Sequence, residues 1–251
     1  KNFYIQEKKF DLIILLCITI IMCDMINYYE LEEVKALAPK YHNPNFDKHN
    51  ISIPFRMGII GSSGSGKTNI VINLIRIMSG TFNKIYLFTK NNDETLYNYM
   101  KTKLKSDQME QHNGVEELNN MDLDTVFNDQ QVLIIFDDLV LEKDQSAIQQ
   151  LFIRGRKLGK GVSLCYLAQT YYGIPKNIRM QFTYIILRKL PNKRDINAIL
   201  KESSCGLDSS ELLELYNFCT RGDITSFLLI ELSKPPEEMF RKNFDKFIRL
   251  S

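Results

Sequence analysis

Apolar residues along this chain gather into short dense runs, separated by segments in which they recur every third or fourth position. The runs Phe55–Ile60, Lys84–Thr89, Gln131–Phe136, Val162–Ala168, Phe182–Leu187 and Phe227–Leu232 are compact and rich in β-branched and aromatic residues, and they predict strands. The unbroken stretch from Val132 to Phe136 predicts a strand buried on both faces, as in a parallel sheet. Helical spacing appears at Ile70, Val71, Leu74, Ile75 and Met78, with Gly80 closing that helix. Further helices are predicted over Asn91–Lys105, Asp144–Arg156, Asp195–Glu202, Ser209–Cys219 and Glu237–Leu250. In the first of these, Asp93 and Glu94 open the helix and Lys101, Lys103 and Lys105 close it, which complements its dipole. Residues 106–120 are polar and read as loop. Strands alternating with helices predict an α/β domain with a mostly parallel sheet covered on both faces.

Residues 1–49 break the pattern and predict a separate leader or peripheral segment, with the domain running from 50 to 251. Leu12–Cys23 is an apolar run interrupted only by Thr19, about a dozen residues against the ~20 that a spanning helix requires. No stable membrane span is expected. A small-residue cleavage site is missing, since Asp24-Met25-Ile26 follows. The segment is either an upstream leader, with Met22 or Met25 as the start, or a buried or peripheral part of the protein. Pro39, Asn43-Pro44 and Asn50 mark irregular chain before the first strand.

Between the first strand and the first helix stands Gly61-Ser62-Ser63-Gly64-Ser65-Gly66-Lys67-Thr68, a Gly-x4-Gly-Lys-Thr phosphate loop in the expected strand–loop–helix setting. Its glycines let backbone N–H groups turn inward onto phosphate oxygens, and the helix N-terminus adds positive field. Lys67 would reach the β- and γ-phosphates, the Thr68 hydroxyl would bind Mg²⁺, and Asn69 begins the helix beside them. The strand ending at Phe136 carries Asp137-Asp138 at its carboxyl tip, where ligands of such sheets collect. Asp137 fits the acid that holds Mg²⁺, and Asp138 sits where related ATPases place a carboxylate that activates water. Gln169 ends the strand Val162–Ala168 and reads on its own as an ordinary strand-end glutamine, or, with the loop and the acidic tip, as a polar tip that touches both a γ-phosphate and a water. Tyr171-Tyr172 read as packing residues in preference to base-stacking ones.

Composition narrows this only slightly. The 251 residues carry a net charge of +2, so any nucleic-acid contact must come from a local patch. The five cysteines form no Cys-x-x-Cys pair and lie apart from the three histidines, so they read as reduced thiols, and no metal site built on His or Cys is evident.

In their order along the chain, Gly61–Thr68, Ile134-Ile-Phe-Asp-Asp138, Arg154-Gly-Arg-Lys157, Leu167-Ala-Gln169, Ile174-Pro-Lys-Asn-Ile-Arg179 and Phe240-Arg-Lys-Asn-Phe244 resemble the FtsK–HerA superfamily of DNA-translocating ATPases. Within it the chain is similar to the genome-packaging ATPases of nucleocytoplasmic large DNA viruses, virophages and Maverick/Polinton elements. The resemblance covers residue 50 to the end. It implies a RecA-like (ASCE) P-loop NTPase fold, in which the Gln169 strand lies beside the phosphate-loop and Asp137 strands. It also implies a homo-oligomeric ring with ATP sites between subunits, double-stranded DNA and viral capsid proteins as partners, and residence in the host cytoplasm and the virion. By motif position Arg156 is the arginine finger, with Arg154 and Arg179 as runners-up. The Asp-Asp pair departs from the Asp-Glu of many relatives outside the viral group, which makes Asp138 one methylene shorter as a base. Two other readings stand beside the packaging motor: a P-loop nucleotide or small-molecule kinase, and a non-catalytic, nucleotide-gated capsid assembly factor.

Overall fold

The computed structural model describes residues 25–123, 127, 130–203 and 205–249. The chain divides into two compact units, residues 1–40 and 41–251. In the first, a 3-10 turn at Tyr28–Glu30 leads into α1 (Glu32–Leu37), and Lys35 pairs with Glu30 and Glu32 on the surface. The apolar run Leu12–Cys23 lies outside the described residues. Among those described, no helix is long and apolar enough to cross a membrane.

The second unit begins with α2 (Phe46–His49), β1 (Arg56–Ile60), α3 (Lys67–Ile77), β2 (Lys84–Thr89), α4 (Thr95–Lys103), β3 (Met109–Asn113) and α5 (Glu116–Asn120). It continues with β4 (Val132–Asp137), α6 (Ser146–Arg154), β5 (Val162–Ala168), α7 (Lys176–Arg179), β6 (Tyr184–Leu187), α8 (Arg194–Glu202) and α9 (Ser209–Thr220). Three short strands close it, β7 (Leu228–Glu231), β8 (Phe240–Lys242) and β9 (Lys246–Phe247). The nine strands among the described residues form one sheet in the order β3-β2-β4-β5-β1-β6-β7-β8-β9. The first six in that order run parallel, and the last three attach antiparallel to one another. β5 lies between β1 and β4, pairing Ala168 with Ile60 and Leu167 with Asp137, so three strand tips end level with one another.

The central strands are apolar on both sides because each side has its own core. One is filled by Ile70, Val71 and Leu74 of α3 with Tyr97 and Met100 of α4 against Met57, Ile59, Leu133 and Ile135. The other sets Ile148, Leu151 and Phe152 of α6 and Ile199 of α8 against Ile134, Phe136, Leu164 and Tyr166. Alternate side chains of one strand thus serve opposite layers. Cys165, Cys205 and Cys219 are buried free thiols.

Four expectations are corrected. The helix over Asn91–Lys105 starts only at Thr95, because the Glu94 side chain accepts from Leu96 N as its cap. The helix over Asp144–Arg156 ends at Arg154, and Gly155–Lys157 forms a 3-10 turn. The polar stretch 106–120 holds an edge strand, β3, and the short α5. Its alternation was hidden because an edge tolerates charge: Glu110 pairs with Lys84 at 3.1 Å, and only His112 turns inward, stacked on Phe88 at 4.8 Å. The terminal helix over Glu237–Leu250 is instead the β8–β9 hairpin. Met239, Phe240, Phe244 and Phe247 imitate helical spacing, but the open edge of β7 needs backbone partners. Asn243 takes a left-handed φ of 61° at the turn, and its side chain accepts from Phe227 N.

Candidate nucleotide site

The phosphate loop is held at its entry by the strands beside it: Gly61 N donates to Ala168 O at 3.1 Å and Ser62 N to Lys189 O at 2.9 Å. A Cβ on Gly61 would lie 2.6 Å from Ser65 Oγ, so no other residue fits there without displacement. Gly64 and Gly66 both have positive φ, 68° and 94°, which turns the loop back onto α3. Lys67 is buried, and its Nζ donates to the loop's own carbonyls, Gly61 O at 2.9 Å and Ser62 O at 3.3 Å. Ser65 Oγ is buried with no hydrogen-bond partner among the described residues. A buried hydroxyl without a partner, a buried ammonium and a helix N-terminus at one loop form a cradle suited to anionic oxygens.

This cradle opens into a cleft of about 340 Å³ bounded by Gly64, Lys67, Thr68, Asn69, Asp137 and Asp138. Sequence reasoning names these six together with Ser63, Ser65 and Gly66, which also line the cleft; the other two residues it assigned to the phosphates, Gly61 and Ser62, do not. It had missed Asn91, Glu94, Leu96 and Ile224, which complete the walls. Glu94 gave a signal, but one that reads equally well as an ordinary acid at a helix start. Ile224 gave none.

Asp137 is buried at the tip of β4 and accepts a hydrogen bond from the Tyr97 hydroxyl at 2.7 Å. Burial raises its pKa to about 6, against the lowering effect of the Tyr97 bond; the charge of Asp138 raises it further and that of Lys67 lowers it. The same burial, with Asp137 beside it, pushes the Tyr97 hydroxyl well above its ordinary value. Asp138 is exposed and has a φ of 54°, a left-handed backbone that aspartate, like asparagine, adopts more readily than other non-glycine residues. It borders the phosphate cleft and also a neighbouring hollow of about 410 Å³ that contains Gln169 and Thr170. The chain beyond it is fixed by buried Gln145, which donates to Leu139 O at 3.1 Å and accepts from the Tyr166 hydroxyl at 2.9 Å. Glu142, the next acid along, is paired with Lys90 at 3.2 Å.

Of the three arginines, none lines this cleft. Arg156 lies in the 3-10 turn before β5, and its charge acts on Arg56 and Tyr41 near the start of β1. The seven residues of β5, at about 3.3 Å each, put roughly 20 Å between that turn and the strand tips. Arg154 ends α6 on the same side. Arg179 is buried, bonded to Glu202 at 2.5 Å and to Ile174 O at 2.6 Å, with Tyr171 and Tyr172 against its guanidinium. Tyr171 is buried, as its packing role requires.

A phosphate loop on β1, an acidic tip on β4 and a strand threaded between them are the marks of a RecA-like P-loop NTPase. The chain belongs to the Poxvirus A32 protein family, whose pattern matches residues 43–233. Among solved structures it is similar to the genome packaging NTPase B204 of Sulfolobus turreted icosahedral virus 2 in complex with ATP-gammaS. That likeness has 14% identity and a TM-score of 0.53, and covers 78% of this chain and 100% of the other. The DNA-packaging ATPase B204 of Sulfolobus turreted icosahedral virus matches at 15% identity and 0.51, over 81% and 99%. ATPases 2 and 3 of EssC from Geobacillus thermodenitrificans match at 13% and 0.53, over 78% of this chain and 40% of that one. No curated protein sequence matches the chain.

Proposed function

We propose that this chain hydrolyses ATP in the cleft at the tips of β1, β4 and β5 and uses the energy to drive double-stranded DNA into a viral capsid. The observation that carries the chemistry is the position of β5, which brings Gln169 and Asp138 to one hollow beside the phosphate loop. Family membership and a fold shared with two packaging NTPases support the coupling to DNA.

In this reading the loop N–H groups of Ser63, Gly64 and Gly66 to Thr68, with Asn69 behind them, hold the phosphates of ATP, while Gly61, Ser62 and Ser65, whose N–H groups are bonded within the protein, shape the loop. Lys67 exchanges its two carbonyl partners for phosphate oxygens. The Thr68 hydroxyl and the Asp137 carboxylate are the oxygen donors for Mg²⁺, which supplies charge neutralisation at the β- and γ-phosphates. Burial keeps Asp137 short of full ionisation near pH 6, and Tyr97 holds it in place. Asp138 accepts a proton from the attacking water and Gln169 orients that water. Arg156 cannot serve its own cleft from the opposite end of β5, so its role as finger requires a second subunit in a ring. Arg179, tied to Glu202, is unsuited to that role. Viral capsid proteins are the further partners, and the host cytoplasm and virion the location.

The test is ATP hydrolysis with and without duplex DNA. Stimulation by DNA is expected; transfer of phosphate to a nucleoside would instead establish the kinase, and absence of both turnover and transfer the assembly factor.

A further inference from the structure

Gln169 is exposed, and among the described residues its side chain has no hydrogen-bond partner. Its aim therefore depends on the backbone that carries it. On one side that backbone is anchored to the phosphate loop, since Ala168 O accepts from Gly61 N at 3.1 Å. On the other side the anchor is Asp195, in the first turn of α8, whose Oδ1 accepts from Tyr171 N at 3.0 Å and from Tyr172 N at 3.3 Å. Only Gln169 and Thr170 lie between the two anchors.

α8 grips this turn at more than one point. Ile196 and Ile199 seat the helix in the core. Arg194 lies over the Tyr172 ring at 4.4 Å, and Glu202 holds Arg179, which donates to Ile174 O at 2.6 Å. Asp195 is buried, and its second oxygen, Oδ2, has no partner among the described residues. A buried carboxylate with an unpaired oxygen costs stability, and an asparagine carbonyl could accept from the same two N–H groups without burying charge. The carboxylate adds strength, because hydrogen bonds to an ionised acceptor are roughly twice as strong as neutral ones. Closing the turn does not require it: Thr170 Oγ1 accepts from Gly173 N and Tyr171 O from Ile174 N, each at 3.2 Å. What Asp195 does is tie the turn to a different element, and that tie sets where the turn sits relative to the cleft.

We propose that Asp195 is a positioning residue for hydrolysis: from α8 it holds the backbone beyond β5 so that Gln169 faces the γ-phosphate and the attacking water. The inference rests on the role given to Gln169 above. Gln169 shares its hollow with Asp138, whereas Asp195 lines neither that hollow nor the phosphate cleft. Asp195 therefore touches no substrate and acts through Tyr171 and Tyr172. A shift of the turn by about 1 Å is enough to misalign the Gln169 amide, and misplacement on that scale costs about 10²-fold in rate. A support carried on a helix packed in the core holds such a group more precisely than a loop can.

Steady-state ATP hydrolysis by the full chain, with kcat and KM measured separately, tests this. Asp195→Ala should lower kcat about 10–100-fold and leave KM for ATP within about twofold, because the phosphate loop is untouched. Asp195→Asn, which keeps an acceptor in place of Oδ1, should restore most of that turnover. In a Gln169→Ala background, Asp195→Ala should cause no further loss of kcat, since no amide is left to aim. Circular dichroism and melting curves first establish that the variants fold; if Asp195→Ala does not, Asp195→Ser, one atom shorter in reach, replaces it. Full turnover in the alanine or serine variant would overturn the inference. So would losses that multiply in the double variant, or an Asp195→Asn protein as slow as Asp195→Ala. Each of these outcomes leaves the cleft as the site of hydrolysis. A folded wild type without hydrolysis would instead remove the reading of the cleft, and the role of Asp195 with it.

Discussion

Asp137 and Asp138 are adjacent in the chain, yet burial separates their chemistry. Asp138 is exposed in a left-handed backbone and shares a hollow with Gln169. Asp138→Asn should bind Mg-ATP nearly normally while turnover falls about 10²–10⁴-fold, as for loss of a general base, in a steady-state phosphate-release assay. Should turnover persist, the acid to remove next is Glu94, which lines the cleft, and not Glu142, which is paired with Lys90. Asp137 carries the opposite burden. Its value of about 6 lies above the ordinary 3.8, so the folded, metal-free protein holds this proton more tightly than the unfolded chain. The metal-free protein therefore loses stability from this group as pH rises from about 4 to 6, and the loss is complete above that. Asp137→Asn should stabilise the protein in EDTA at pH 7 by up to about 3 kcal/mol, since two units are worth that much. A denaturant titration showing no gain there, or an equal gain at pH 4, would contradict this account. A site residue that costs stability is an expected trade.

The edge strand β3 and the β8–β9 hairpin at the opposite edge were the elements that pattern reading missed, and for opposite reasons. β3 is too polar to look like a strand, and β8 is apolar at helical intervals. Both exist because a neighbouring strand has N–H and C=O groups to satisfy, a demand located elsewhere in the chain. The C-terminal hairpin is anchored by Arg241, which is buried and paired with the buried Glu231 while donating to His49 O, Asn50 O and Phe244 O. Arg241→Ala leaves the Glu231 charge stranded and should cost about 3–5 kcal/mol in a urea titration. Arg241→Met with Glu231→Leu should recover most of that. If the single and double variants were equally unstable, the pair would not be what fixes the hairpin.

Arg156 and the phosphate loop lie at opposite ends of the central strands, which makes the finger proposal a statement about an assembly. Arg156→Ala should leave each subunit folded and able to bind ATP, and should remove about 10³–10⁵ of turnover. Mixing it with Lys67→Ala should restore part of the activity, because a mixed ring contains interfaces in which an intact loop faces an intact Arg156. Light scattering and a tagged pull-down establish that the variants assemble and exchange. No recovery in confirmed mixed rings would leave Arg156 as a charge at a helix end.

Residues 61–68 specified the phosphate loop unaided, because its turns depend on glycines within the loop and its anion field on the helix that follows directly. The strands β1, β2, β4 and β5 were equally legible, since burial on both faces leaves an unbroken apolar run that little else produces. Tertiary structure alone decided what surrounds the loop. Tyr97 meets Asp137 across 40 residues, and Ile224 meets Gly66 from the far side of the sheet sequence. It also decided that Arg156 lies out of reach of its own cleft. Local conformation is set by neighbours in the chain, whereas a cleft is set by where the sheet order places the strand ends, and that order carries no local signature.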